Sequence, residues 1–119
     1  MAKFGQLYLD GGELEGNRIV PADWVRDSLQ IYSEDAWYYR VGRNRRDSGH
    51  GYQWWSVRAG DHRYNLAWGH GRQQIALLDE LDLVVVATAD PLYAQSGDEP
   101  WRLEKANLNL VADFIAFLP

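Results

Sequence analysis

The stretch that decides the fold is residues 67–75, Ala-Trp-Gly-His-Gly-Arg-Gln-Gln-Ile, followed by residues 81–87, Leu-Asp-Leu-Val-Val-Val-Ala. The pattern predicts a strand that carries polar groups and glycines, then a tight turn and a buried strand. A Gly-His-Gly segment lets the backbone and a titratable ring approach a ligand closely, because glycine has no side chain to keep the ligand away. The stretch therefore indicates a pocket as well as a sheet.

The residues around this stretch extend the predicted sheet. Residues 52–57 are rich in β-formers, and Ala59-Gly60-Asp61 predicts a hairpin turn. We expect a second strand to begin at Tyr64 and to continue through His70 to Leu78, and a third strand over residues 83–88. This pattern predicts an antiparallel meander of about three strands. The last strand is apolar on both faces, so helices are expected to cover it.

Apolar residues at helical spacing predict helices on both sides of the strands. Phe4, Leu7 and Tyr8 fall at i, i+3 and i+4, and Gly11-Gly12 ends this first helix. Pro21 suits the first position of a second helix. The buried face of that second helix is expected to consist of Trp24, Val25 and Leu29.

A long C-terminal helix follows a loop over residues 94–100. Its apolar stripe consists of Leu103, Ala106, Leu110, Val111, Phe114, Ile115 and Leu118. We expect this stripe and the stripe of the first helix to be core, and residues 32–51 to form a long loop. The predicted fold is a single α/β (α+β) domain over residues 1–119, in the order helix-helix-strand-strand-strand-helix.

Composition excludes several classes of function. The chain has no cysteine, so disulfides, thiolate metal sites and cysteine nucleophiles are excluded. Its net charge of −5 argues against a nucleic-acid partner, and the basic run Arg43-Asn44-Arg45-Arg46 is interpreted as a solvated loop. The apolar run Leu83–Ala87 is too short to span a bilayer, and no membrane partner is expected. The three histidines, His50, His62 and His70, match no zinc pattern, so no metal is predicted.

Several separated segments resemble the beta-lactamase-related serine hydrolases, a group that includes class C beta-lactamases, penicillin-binding-protein-like esterases and 6-aminohexanoate-dimer hydrolases. The segments that carry the resemblance are Met1-Ala2-Lys3-Phe4-Gly5-Gln6-Leu7-Tyr8-Leu9, Gly11-Gly12, Arg18-Ile19-Val20-Pro21-Ala22-Asp23-Trp24-Val25, Gly51-Tyr52-Gln53-Trp54-Trp55, Gly69-His70-Gly71-Arg72-Gln73 and Leu81-Asp82-Leu83-Val84-Val85-Val86. The resemblance implies amide or ester hydrolysis through an acyl-enzyme, with neither metal nor cofactor.

The family's third motif, Lys-Thr-Gly or His-x-Gly, is the one that this chain retains. The resemblance places His70 at the Lys or His position and Gly71 at the middle position, and it makes Gln73 the donor of an oxyanion N–H. Arg72 stands where the family usually has glycine, and its side chain either blocks the substrate or binds a substrate carboxylate. Trp54 and Trp55 alternate across a strand, so one is core; Trp54 is assigned to the pocket wall.

The family's other two motifs are missing from the chain. The serines are Ser28, Ser33, Ser48, Ser56 and Ser96, and none of them is followed three residues later by lysine. No Tyr-x-Asn occurs either. A hydroxyl nucleophile needs a base within hydrogen-bond reach, so no catalytic residue is predicted. In the family the Met-Ala-Lys-Phe-Gly stretch lies well inside the domain, and we therefore expect this chain to be a C-terminal portion of such a hydrolase that is inactive alone.

Two other hypotheses stay open at this point. In the first, the chain is a non-catalytic module in which Trp54, His70 and Arg72 bind a small anionic ligand or a partner protein. In the second, it is a degenerate fragment without a selected role. In each case, sheet edges and helix faces that the rest of the family's fold would cover favour a homo-oligomer, most simply a dimer.

Overall fold

The computed structural model describes residues 1–34, 44–93 and 96–119. The helices are α1 (Ala2–Leu9), α2 (Ala22–Ser28) and α3 (Glu99–Ala116), with a 3-10 turn at Asp79–Leu81. The strands are β1 (Glu13–Leu14), β2 (Asn17–Arg18), β3 (Ser33–Glu34), β4 (Arg46–His50), β5 (Trp55–Ala59), β6 (His62–Gly69), β7 (Gln73–Leu78) and β8 (Leu83–Ala87). The mixed α/β character and the antiparallel pairing that the sequence predicts are both confirmed.

The strand count was predicted wrongly. One six-stranded sheet runs in the order β3-β4-β5-β6-β7-β8, and each strand is antiparallel to the next, while β1 and β2 form a separate hairpin. Ser33–Glu34 and Arg46–His50 lie inside the region that was predicted as loop. Their polar residues have little β-propensity of their own. Pairing with β5 extends β4, and pairing with β4 extends β3. The rest of that loop, residues 35–43 with Tyr38, Tyr39 and Arg43, lies outside the described residues.

The second predicted strand is in fact two strands. Gly69 pairs with Gln73, so β6 ends and β7 begins around the turn His70-Gly71-Arg72. By contrast, Ala59 pairs with His62, which confirms the hairpin turn predicted at Gly60-Asp61. The polar residues 70–72 are therefore a turn at one end of the sheet rather than the middle of a strand.

Helices cover both faces of the sheet. Leu108, Val111 and Ile115 of α3 pack on one face against residues that include Leu66 and Ala76. On the other face, α1 lies over β7 and β8, where a Cβ added to Gly5 would come within 2.5 Å of Val84 Cγ1. The absence of a side chain at this position lets α1 approach the sheet closely.

The helical stripes are buried only in part. Leu7, Val25 and Ile115 are buried as predicted, whereas Phe4 and Trp24 are exposed. Leu110 and Phe114, which were also predicted as core, have exposed fractions of 65% and 49%. Periodicity identifies the apolar face of a helix, but it does not say how much of that face a neighbour covers.

Two arginines of the predicted basic loop belong to the fold. Arg45 Nη2 donates to Gln74 Oε1 at 3.2 Å, and Arg46 Nη2 donates to the Gly60 carbonyl at 2.7 Å. The interpretation of this run as a wholly solvated loop is therefore wrong for Arg45, and burial lowers the pKa of its guanidinium. None of the helices in the described ranges is long and apolar enough to cross a membrane.

Candidate functional site

The turn between β6 and β7 borders a cleft of about 330 Å³. The residues that line this cleft are His70, Gly71, Arg72, Pro91, Tyr93, Pro100 and Glu104. The segment after β8 and the first turns of α3 thus meet the turn at one end of the sheet. Three of the residues predicted for the substrate pocket, His70, Gly71 and Arg72, are brought together here.

Arg72 is buried and has an unusual backbone conformation. Its φ is +70°, in the left-handed region that favours glycine. Its exposed fraction is 6%, and its Nη2 donates to the carbonyls of Asp90 and Tyr93, the second at 2.9 Å. The guanidinium thus joins the β6–β7 turn to the segment that follows β8. These bonds leave Arg72 Nη2 occupied by main-chain acceptors rather than directed toward a ligand carboxylate.

Glu104 of α3 holds the same turn from the opposite side. Its exposed fraction is 2%, and its two carboxylate oxygens accept hydrogen bonds from Trp68 Nε1 and from the Gly71 main-chain N–H, the latter at 3.3 Å. A buried carboxylate needs such donors, because burial without them is costly. Nothing in the sequence singles out Glu104, since an acidic residue in an amphipathic helix is ordinarily exposed, and Glu104 lies on the buried face of α3.

Hydrogen bonds of its side chain hold Gln73 in place, in addition to the pairing of its strand. Its Nε2 donates to the Ala89 carbonyl at 2.6 Å and to the Gly71 carbonyl at 3.2 Å. These bonds hold the first residue of β7 against the segment after β8. The side chain therefore has a structural role, and the predicted oxyanion donor is the main-chain N–H.

His70 is exposed, and it lies in the turn rather than on a strand. The alternative interpretation, a strand histidine whose ring the backbone satisfies, is therefore not what the described residues show. An imidazole at the edge of a cleft is a group that can take part in proton transfer. Tyr93 and Glu104 line the same cleft.

Trp54 does not belong to this site. It packs beneath α1, with its ring centroid 4.8 Å from that of Tyr8, and it contributes to the core cluster with Ile75 and Leu77. Trp55 packs against the α3-side cluster, so the predicted alternation of the two rings across the sheet is confirmed. Among the described residues that line the cleft, neither tryptophan is present.

Two serine hydroxyls form hydrogen bonds with groups that cannot act as a general base. Ser28 Oγ donates to the Val25 carbonyl at 2.9 Å, and Ser56 Oγ accepts from Arg63 Nη1 at 3.0 Å. A guanidinium remains protonated at ordinary pH, so Arg63 cannot act as a general base for Ser56. Ser56, Arg63 and Asn65 belong to a separate cavity of about 480 Å³ on the α1 side of the sheet.

The histidines do not form a metal centre in the part of the chain that the structure describes. No group of three or more His, Asp or Glu side chains there is placed to hold a metal ion. His62 instead contacts Glu80 Oε1 through Nδ1 at 2.7 Å and the Leu118 carbonyl through Nε2 at 3.2 Å. The hydrogen bond to Glu80 raises the pKa of His62 above its usual value of 6.5.

No protein-family model matches the chain, and no curated protein matches it.

Proposed function

We propose that this chain forms the His-x-Gly side of a beta-lactamase-like serine hydrolase site, as the C-terminal portion of such an enzyme, and that it has no acyl-transfer activity alone. The observation that carries the proposal is the backbone of Arg72. Its φ of +70° is one that glycine adopts easily, and glycine is the residue that the resemblance expects at this position. The φ angle at residue 72 is a property of the backbone, so this observation is independent of the side-chain identities that carry the resemblance.

The roles of the turn residues follow from their surroundings. His70 is exposed at the cleft and is the one proton-transfer candidate that this turn offers. The Gly71 N–H already donates to Glu104, so it is not free for an oxyanion. The resemblance makes the main-chain N–H of Gln73 the oxyanion donor, and the hydrogen bonds of the Gln73 side chain hold this residue in position.

The proposed lack of activity rests on the absence of a nucleophile–base pair. Lys3 Nζ pairs with Glu15 Oε1 at 3.0 Å, and Lys105 Nζ lies 6.0 Å from the centroid of the Trp101 ring. Among the described residues, both lysines thus contact groups other than a serine, and Ser28 and Ser56 are buried. A serine without a base in reach keeps the low reactivity of an ordinary alcohol.

Incubation with an activated ester and with a chromogenic lactam tests the proposal. We expect turnover no faster than that of the His70→Ala variant, and an intact mass without an acyl adduct. A serine-linked adduct would overturn the statement that the chain is inactive alone.

The gene upstream of the Met1 codon supplies the second test, since an in-frame Ser-x-x-Lys followed by Tyr-x-Asn is expected there. A stop codon and a ribosome-binding site directly before Met1 would contradict the hydrolase assignment.

The internal bonds of the turn favour a second candidate, a non-catalytic module derived from the same fold. Arg72, Gln73 and Glu104 are all engaged within the chain, as expected of a motif that is retained for structure. Titration with succinate, followed by NMR of the His70 ring, separates the two candidates. Saturable shifts of the His70 ring would favour an anion-binding module in which the exposed His70 contacts the ligand, because Arg72 Nη2 is already occupied by the carbonyls of Asp90 and Tyr93. The hydrolase proposal predicts no such shifts.

A further inference from the structure

We propose that β8 and the adjacent flank of α3 form a self-complementary surface that pairs with a second copy of this chain. Within the described residues, β8 pairs with β7 alone, so its outer side is an open edge of the sheet. Its sequence Leu83–Ala87 contains no charge and no proline, and its pairing with β7 runs without a register shift. Edge strands that stay unpaired usually carry such interruptions.

The opposite edge of the same sheet is protected. Among the residues that the structure describes, the outermost strand at that edge is β3, whose two residues, Ser33 and Glu34, are both exposed. A strand of this length offers few backbone groups, and the carboxylate of Glu34 opposes burial against another chain. Of the two edges, therefore, β8 is the one suited to strand addition.

The sequence of β8 is compatible with pairing to itself. In an antiparallel pair centred on Val85, Leu83 lies opposite Ala87, Val84 opposite Val86, and Val85 opposite the second Val85. Leu83, Val85 and Ala87 pack on the α3 side of the sheet, while Val84 and Val86 pack on the α1 side. This register keeps each residue on its own side, and it joins the two six-stranded sheets into one.

The flank of α3 above this edge is also apolar. Asn107 receives a hydrogen bond from Gln74 on β7, whereas Asp113 receives one from Asn44, just before β4. The side of α3 that carries Asn107 therefore faces the β7–β8 edge. Leu110 and Phe114 follow Asn107 at i+3 and i+7, on the same side, and they are large apolar residues of the stripe that are exposed.

The uncharged edge is compatible with a second copy, whereas a strongly basic or acidic partner strand would meet no complementary charge on β8. The chain carries a net charge of −5, but the pairing segment itself carries none. In the proposed register, Asp82 lies opposite Thr88 of the second copy, so like charges do not meet at the ends of the strand. The proposal concerns this chain on its own, since in the enzyme of the proposed function the rest of the fold would cover such an edge. Neither His70 nor the cleft takes part in the pairing.

Sedimentation velocity and cysteine trapping test this inference. We expect the wild-type chain to sediment at twice the chain mass of 13.7 kDa. Because the chain has no cysteine, Val85→Cys introduces a single thiol next to the proposed two-fold axis. Cα atoms of directly opposite residues lie about 4.5–5.5 Å apart, within the range of a disulfide, so mild oxidation should give a covalent dimer.

Matched variants distinguish a dimer that forms through β8 and the flank of α3 from a dimer that forms through another surface. Val84→Cys should not trap a dimer, because Val84 lies opposite Val86 and the two introduced thiols are diagonal neighbours. Leu110→Lys, at an exposed position that does not threaten folding, should weaken the dimer at least tenfold, whereas Ile19→Lys, exposed on another surface, should leave it unchanged. A monomer at high concentration, equal trapping at positions 84 and 85, or association that Leu110→Lys leaves intact would overturn the proposal. None of these readouts uses catalysis, so they stand apart from the test of the proposed function.

Discussion

At the scale of single residues, the site depends on Arg72. Its left-handed backbone is costly for a side chain with a Cβ, and its hydrogen bonds to the carbonyls of Asp90 and Tyr93 offset that cost. Glycine would satisfy the backbone but would lose both bonds. Arg72 therefore lacks the backbone freedom of glycine, but its side-chain hydrogen bonds connect the turn to the segment after β8.

Two substitutions at this position separate the effect of the backbone conformation on stability from the effect of the side-chain hydrogen bonds. Arg72→Ala loses the bonds and keeps the backbone cost, so we expect a destabilisation of about 3 kcal/mol. Arg72→Gly loses the same bonds but removes the backbone cost, and should be about 1 kcal/mol more stable than Arg72→Ala. Urea unfolding of the three proteins measures both differences. Equal stability of the two variants would contradict a left-handed conformation at residue 72.

Glu104 is the second residue on which the turn depends. Glu104→Gln replaces one acceptor oxygen with an amide donor that faces either Trp68 Nε1 or the Gly71 N–H. We expect a destabilisation of about 1–3 kcal/mol, because one donor is then left buried and unpaired. The matched change Glu99→Gln, at the exposed start of the same helix, should stay within about 0.5 kcal/mol of wild type. Similar unfolding free energies for the two variants would show that Glu104 does not hold the turn.

At the scale of elements, local sequence specifies the two strands of the β6–β7 hairpin but not the turn between them. The tendency of residues 64–69 and 73–78 to form strands was recognised, but the three residues between them were assigned to the same strand. Gly71 alone is a weak turn signal, and an arginine in the sequence gives no indication that residue 72 adopts a positive φ. The contacts that stabilise this turn come from α3 and from residues 89–93, which are distant in sequence.

His62 connects three elements, and the connection depends on pH. The ring of His62, on β6, contacts Glu80 of the 3-10 turn and the Leu118 carbonyl after α3, while Asp61 adds a further favourable charge. Because folding raises the pKa of His62, its contribution is fully present below the unfolded pKa of 6.5 and is lost as pH rises through the folded pKa. Unfolding free energies measured between pH 5 and 9 should fall across this window. Glu80→Gln should flatten the fall, and an unchanged slope would contradict the assigned cause.

At the scale of the whole molecule, one sheet separates two helical layers and leaves one long open edge. The α3 layer closes the larger core cluster, and α1 closes a smaller one over β7 and β8. The exposed Leu110 and Phe114 were predicted as core from periodicity alone. Their exposure on the side of β8 is what the proposed second copy accounts for.

Association of this kind makes stability depend on concentration. If unfolding is coupled to dissociation of the dimer, the midpoint of thermal unfolding should rise by about 5 °C for a hundredfold increase in protein concentration. The Leu110→Lys variant, with a weakened interface, should show a midpoint that is nearly independent of concentration over the same range. A midpoint that does not move for the wild-type chain would contradict a folded dimer.

The sequence by itself determined the three helices, the antiparallel character of the sheet and the Gly60-Asp61 hairpin turn. These features follow from local periodicity and turn chemistry, which neighbouring residues specify. The tertiary structure alone decided that β3 and β4 are strands, that residues 70–72 form a turn, that Glu104 faces Gly71 and that Trp54 lies under α1. Each of these depends on partners far away in the chain, because burial and hydrogen bonding by distant residues override weak local preferences.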